Sequence, residues 1–265
     1  MSQQQCRAFV LRRVRYGEQA CLIDVYSRES GRLTLGSRLS RKGQLSAFNQ
    51  VYILADLEYR LSGGRGYLTG GQIVYDFPGI SQDLERQVAA AELATMYLDQ
   101  VREGLQDTAL YELLAYAFYA LSEQGEPEKQ FVTAALRFLA ELGFAPWLED
   151  CLLCHAALEG GGNFDFQRQG LICPNHRLET PHLRQTMELS REEMRLIQTI
   201  CQAALSDIFR LNFRQETIKM LTVFLEKLCQ ELLDKRYSVR EQLESLRRFE
   251  LMSRAHLQES PEGEE

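Results

Sequence analysis

The stretch Gln19-Ala20-Cys21-Leu22-Ile23-Asp24-Val25-Tyr26-Ser27-Arg28-Glu29-Ser30-Gly31-Arg32-Leu33-Thr34-Leu35-Gly36-Ser37 holds two short apolar runs joined by a polar loop. The loop Ser27-Arg28-Glu29-Ser30-Gly31 ends on a glycine, the usual signal of a hairpin connection. Upstream, Cys6–Val14 has the same apolar and β-branched character. Downstream, residues 51–59 and 66–75 add two more such runs, with Gly63-Gly64-Arg65-Gly66 as the turn between them. Five short strands in about 70 residues, with no convincing helical period among them, suit a small closed barrel of the OB type. The glycines at 63–66 are no phosphate loop, because no Gly-Lys-Ser/Thr follows and no helix opens there.

After Pro78 the period changes. Leu84, Val88, Ala91, Leu98 and Val101 fall on one helical face, as do Leu110, Leu113, Leu114, Ala117, Phe118 and Leu121. Phe131, Ala135, Phe138, Leu139 and Leu142 make a third stripe, and Ile218, Leu221, Leu225, Leu228 and Leu232 another. Spacings of three and four predict amphipathic helices that pack together. Ser190 with Glu193, and Ser238 with Glu241, have the spacing of capping boxes. The fold class expected is α+β: a five-stranded OB-type barrel over 1–80, then a helical domain over 81–250 interrupted at 145–183. Residues 251–265 are expected to form a disordered acidic tail.

The interruption carries the strongest motif. Cys151-Leu152-Leu153-Cys154 is followed, after eighteen residues, by Cys173-Pro174-Asn175-His176. Two residues between ligands let a tight turn aim both side chains at one metal, and two such knuckles complete a tetrahedral shell. Four protein ligands leave no open position for water, so Cys151, Cys154, Cys173 and His176 are expected to bind a structural zinc. Phe164–Phe166 and Leu171–Ile172 can form a hairpin between the knuckles, and Gly160-Gly161-Gly162 is expected to turn. Cys6, Cys21, Cys201 and Cys229 lie in apolar segments and are expected to be buried thiols; with seven cysteines in all, a fully paired disulfide framework is excluded.

Charge is uneven. The chain has a formal net charge of −7, yet residues 1–80 carry eleven Lys/Arg against six acids, which leaves the remainder at −12. A basic barrel on an acidic body suits phosphate binding at the barrel, because screening cuts off distant charge. The candidate DNA-binding residues are Arg12, Arg13, Arg15, Tyr16, Arg32, Arg38, Arg41 and Lys42. Tyr16 and Phe48 are either stacking platforms or barrel packing. No run of about 18 apolar residues exists, and the first residues have no apolar secretory region, so a cytoplasmic protein is expected with no membrane partner. No Gly-x-Ser-x-Gly elbow, Walker loop or metal–carboxylate cluster stands out, so no catalytic role is expected.

Val14-Arg15-Tyr16-Gly17-Glu18, then Ile23-Asp24-Val25-Tyr26-Ser27 and Gly31-Arg32-Leu33, followed by helices interrupted by the paired knuckles, resemble the RecO family of bacterial DNA repair proteins. The resemblance runs from about Cys6 to Phe249. It departs at His176, where a fourth cysteine is common, and at His155, where a glycine often follows the first knuckle. It implies a recombination mediator: a protein that binds single- and double-stranded DNA, anneals complementary strands and, with RecR, helps RecA load onto strands coated by the single-strand DNA-binding protein. It also implies a bacterial, nucleoid-associated setting and a helical-body site for the coating protein's acidic tail, for which Arg210 and Arg214 are the candidates. The alternatives are a protein–protein adaptor with a structural zinc, and a zinc hydrolase acting on nucleic acid.

Overall fold

The computed structural model describes residues 3–18, 20–38, 47–48, 50–123, 125–158, 160–179 and 186–258. Five strands come first: β1 (Gln3–Tyr16), β2 (Ala20–Ser27), β3 (Gly31–Arg38), β4 (Ile53–Ser62) and β5 (Arg65–Tyr75). They close a barrel in the order β1-β2-β3-β5-β4, with β1 pairing both β2 and β4 and a short parallel contact between β3 and β5. The α+β expectation with an OB-type barrel holds.

The barrel interior is filled by Cys6, Ala8, Val10, Cys21, Ile23, Val25, Leu35, Ile53, Ala55, Leu57, Tyr59 and Leu68. Phe48, only 5% exposed, is among them, so it is a packing residue and no platform for bases. The alternation of β1 breaks once. Val10 pairs with Val25 and Arg12 with Asp24, so Leu11 is an extra, bulged residue. Phe9 and Leu11 leave the barrel interior and join the helical core. Such a bulge re-aims every side chain after it.

The helices are α1 (Pro78–Gln82), α2 (Leu84–Gln100), α3 (Thr108–Glu123), α4 (Pro127–Glu141), α5 (Pro174–Glu179), α6 (Arg191–Gln202), α7 (Leu205–Ile208), α8 (Gln215–Leu233) and α9 (Val239–Gln258). The stripes expected for α3, α4 and α8 are buried as far as Leu228, with Leu142 and Leu232 partly buried at helix ends. The face of α2 differs from expectation. Leu84 is exposed, while Val88, Ala89, Ala90, Leu93, Met96 and Tyr97 are buried. The reason is that α2 is packed by α1, α3, α4, α9 and β1 together, so it buries more than one stripe. Ser190 and Glu193 form the expected capping box at α6. Helix α9 continues to Gln258, so residues 251–258 extend a helix where a tail was expected, and 259–265 lie outside the described residues.

The outer face of the barrel joins the helical core through Phe9, Leu11 and Tyr26. Phe9 stacks edge-on to Phe118 at 5.6 Å and Tyr26 to Tyr97 at 5.4 Å. Gly31, with φ +64°, lies so close to the 102–105 loop that a Cβ there would sit 2.0 Å from the Leu105 carbonyl oxygen. The Gly104 N–H donates to the Arg32 carbonyl at 2.9 Å, and the Tyr26 hydroxyl to the Asp107 carbonyl at 3.3 Å. The insertion is a three-stranded sheet, β6 (Gly161–Asp165), β7 (Gly170–Ile172) and β8 (Thr186–Ser190), in the order β7-β6-β8. Gly161 and Gly162, expected in a turn, begin β6, where they pair with Ser190 and Leu189.

Candidate metal centre and nucleic-acid face

Donor atoms of Cys151, Cys154, Cys173 and His176 lie within 4.8 Å of one another. The elements that bring them together are local. The first knuckle closes with the His155 N–H donating to the Cys151 carbonyl at 2.8 Å. His155 takes the left-handed conformation, φ 56°, that a glycine would take without cost. Its ring meets Asp150 at 3.2 Å, and Asp150 also accepts from the Trp147 indole at 2.9 Å. The His155 side chain is thus turned outward, away from the Cys3His cluster. The second knuckle follows β7 directly, and Pro174 opens α5 with its φ already set for helix. Leu152 N–H donates to the Leu171 carbonyl, which stitches the first knuckle to β7.

The donor set fits zinc. Bond lengths of about 2.3 Å to sulfur and about 2.0 Å to nitrogen give tetrahedral edges of about 3.8 Å (S to S) and about 3.5 Å (S to N). Cys154 and Cys173 Sγ are 3.9 Å apart, and His176 Nδ1 is 3.6 Å from Cys151 Sγ and 3.3 Å from Cys173 Sγ. Burial opposes ionisation of the Cys151 thiol, but the backbone N–H groups of Cys173, Leu153 and Cys154, with the His176 ring, bring it down to about 6. A thiolate is the form that binds metal. Hydrogen bonds to the Cys151 and Cys173 sulfurs raise the His176 ring above the usual imidazole range.

The basic residues divide by position. Beyond the Leu11 bulge, Arg12, Val14 and Tyr16 share one face of β1, opposite Asp24, Leu22 and Ala20. Arg13 and Arg15 lie opposite Ile23 and Cys21, on the face that lines the barrel interior further along. They are exposed because β1 outruns β4, whose pairing with it ends at Val10 and Ile53. The β1–β2 hairpin therefore projects as a basic tip, with Tyr16 71% exposed and Arg38 exposed at the end of β3 opposite Ala20. Arg12 donates to the buried Asp24 carboxylate at 2.7 Å, which also accepts from Thr34 at 2.6 Å. Arg32 is elsewhere: half-buried, it donates to the Leu98 carbonyl near the end of α2 and so belongs to the junction with the helices. Arg41 and Lys42 lie outside the described residues.

Arg210 and Arg214 are both exposed, on either side of half-buried Leu211 and Phe213. Sequence reading missed Lys129, a buried lysine of α4 beneath this segment. Its Nζ donates to the Phe209 carbonyl at 3.3 Å and stands 5.4 Å from the Phe213 ring centre. Burial pulls its pKa below the usual lysine range. Lying between Glu128 and Gln130 in the polar first turn of α4, it carries no sequence signal of burial.

A closed five-strand barrel fused to a helical body, with a Cys3His cluster that could hold a metal ion, defines a two-part protein. Residues 1–77 match the family described as Recombination protein O N terminal, and residues 81–241 the family described as Recombination protein O C terminal. The chain belongs to the RecO family of DNA repair proteins. It is 27% identical to the DNA repair protein RecO of Exiguobacterium sibiricum over 224 residues (84% of this chain, 88% of the relative). It is 23% identical to that of Acetivibrio thermocellus over 243 residues (91% and 96%), and 24% identical to that of Bacillus subtilis over 215 residues (80% and 83%). No helix among the described residues is long and apolar enough to cross a membrane.

Proposed function

We propose that this chain is a non-catalytic recombination mediator that binds single- and double-stranded DNA through the barrel tip and anneals complementary strands. With RecR, it assists RecA loading on strands coated by the single-strand DNA-binding protein, in the bacterial cytoplasm at the nucleoid. The observation that carries this reading is the exposed cluster of Arg12, Arg13, Arg15 and Arg38 around Tyr16, standing clear of an otherwise acidic chain. Arginine forks bind phosphate without reading base edges, which is the sequence tolerance annealing needs. Arg41 and Lys42, outside the described residues, are further candidates on sequence grounds alone. The Cys3His cluster holds one structural zinc: Cys151, Cys154, Cys173 and His176 complete its shell and tie the knuckles to β7 and α5.

The tail of the coating protein, with its free carboxylate, needs cations beside an apolar slot. Arg210, Arg214 and Lys129 around Leu211 and Phe213 meet that description. Strand annealing with bare and coated complementary strands tests the whole reading. Annealing of both, with coated-strand annealing lost in Arg210→Ala/Arg214→Ala, is expected. Failure to bind arbitrary strands at low salt would instead make the chain a protein adaptor.

A further inference from the structure

Closure of the barrel creates a surface row that spans strands far apart in sequence. Val14 of β1 pairs with Leu22 of β2, Leu22 with Gly36 of β3, Gly36 with Tyr67 of β5, and Tyr67 with Arg60 of β4. Directly paired residues share a face of the sheet. Val14, Leu22, Tyr67 and Arg60 are all exposed, and the interior face of the same strands holds Cys21, Ile23, Leu35, Tyr59 and Leu68. The row is therefore on the outside of the barrel. Neighbouring strands are about 4.8 Å apart, so Val14 to Tyr67 spans about 14 Å. Gly36 leaves room for the aromatic: a Cβ at that position would come within 3.2 Å of the Tyr67 ring. Tyr67 thus lies along the sheet over Gly36, a ring face backed by backbone.

Each flanking row brings one exposed arginine. On the helical-body side, Arg12 pairs with Asp24 and Asp24 with Thr34; on the tip side, Tyr16 pairs with Ala20 and Ala20 with Arg38. Asp24, the one acid in these three rows, is buried and bound by Arg12 and Thr34. An apolar and aromatic strip with Arg12 on one side and Arg38 on the other matches a strand whose bases face the strip and whose phosphates face the flanks.

We propose that this row, with Tyr67 as its central platform, stacks the unpaired bases of single-stranded DNA. The inference rests on the proposed DNA-binding function and assigns it residues that neither composition nor motif singles out. Stacking needs a free base face, which a duplex does not offer. The row therefore separates single from double strands, while the arginines act on both.

The test is binding of a labelled oligo(dT) and of a random-sequence duplex of equal length. It compares the full-length protein with its Tyr67→Leu and Tyr67→Phe variants. Tyr67→Leu is expected to lose about tenfold in affinity for oligo(dT), the size of one base stack, with an unchanged salt slope and duplex binding within about twofold. Tyr67→Phe keeps wild-type affinity. As a second measurement independent of stability, the Tyr67→Trp protein should show quenched indole emission on adding oligo(dT), beyond any change from Trp147 in the wild type. Wild-type affinity of Tyr67→Leu for oligo(dT), or an equal loss for strand and duplex, overturns the row while DNA binding stands. Absence of binding by the wild-type protein to either nucleic acid overturns the proposed function and this inference together.

Discussion

The outer face of the β1–β2–β3 sheet is used differently at its two ends. At one end Phe9, Leu11 and Tyr26 are sealed against α2 and α3, and Gly31 and Arg32 clasp the 98–105 segment. At the other end, only a few residues along the same strands, Val14, Tyr16 and Leu22 stay exposed among arginines, beside Tyr67 of β5. Each fully buried aromatic contributes about 2–3 kcal/mol of transfer free energy at the first end. The second end contributes little to folding and carries the binding groups. Residue type does not distinguish the ends, since both have arginine and tyrosine. What decides is whether a helix covers the position.

The metal cluster, like the covered end, is expected to serve folding and not DNA contact. Metal analysis should give about one zinc per chain for the wild type and none for the Cys151→Ser/Cys173→Ser protein. Its stability should fall by at least about 3 kcal/mol, because metal binding is folding free energy. Affinity for DNA in the folded fraction should change little. Full zinc retention by that variant refutes the ligand assignment.

Gly31 and Gly17 sharpen the contrast, since both have positive φ. Gly31→Ala drives a Cβ into the Leu105 carbonyl and should cost more than about 3 kcal/mol in denaturant unfolding, clash and left-handed strain together. Gly17→Ala meets nothing within 4 Å and should cost only the strain, about 1 kcal/mol. Equal losses would mean that the covered end is no tighter than the tip.

Arg32→Ala should cost about 1–3 kcal/mol by leaving the Leu98 carbonyl without its donor, yet leave the salt dependence of DNA binding unchanged. A flattened salt dependence would return Arg32 to the phosphate-binding set.

Much of this division was legible in the sequence. Strand alternation, helical stripes and paired knuckle spacing are local signals, and they located the barrel, α3, α4, α8 and the metal cluster. Three features were not legible because they depend on pairing at a distance. The Leu11 bulge appears only when β1 is set against β2. The Val14–Tyr67 row needs the barrel closed through β3 and β5. The role of Arg32 needs α2 docked. Strand β8 was missed because it is a short edge strand beyond residues with no clear period, and the buried face of α2 because five elements surround it.

A smaller effect concerns the docking of α9. Glu92 of α2 is buried against the start of α9, where it accepts from the Ser238 N–H and the Gln242 side chain. Burial dominates and, with Glu241 and Asp99 nearby, pushes its carboxyl from 4.5 up to about 7. The native state then holds more protons than the unfolded chain between those values, so stability should fall as pH rises through that window. Glu92→Gln should flatten that part of the pH–stability curve. An unaltered curve would show that Glu92 is ionised as in water.

The central claim is that DNA binds the bare end of the barrel, and the salt dependence of oligo(dT) affinity tests it most directly. If about four tip cations contact phosphates, log affinity against log salt should have a slope of about −3 for the wild type. In the Arg12→Gln/Arg13→Glu/Arg15→Glu protein, where the glutamine keeps a donor for the buried Asp24, affinity should drop for every sequence and the slope should flatten by about 2, with metal content and fold intact. A triple variant with wild-type affinity and wild-type slope would contradict the account and place the DNA elsewhere on the molecule.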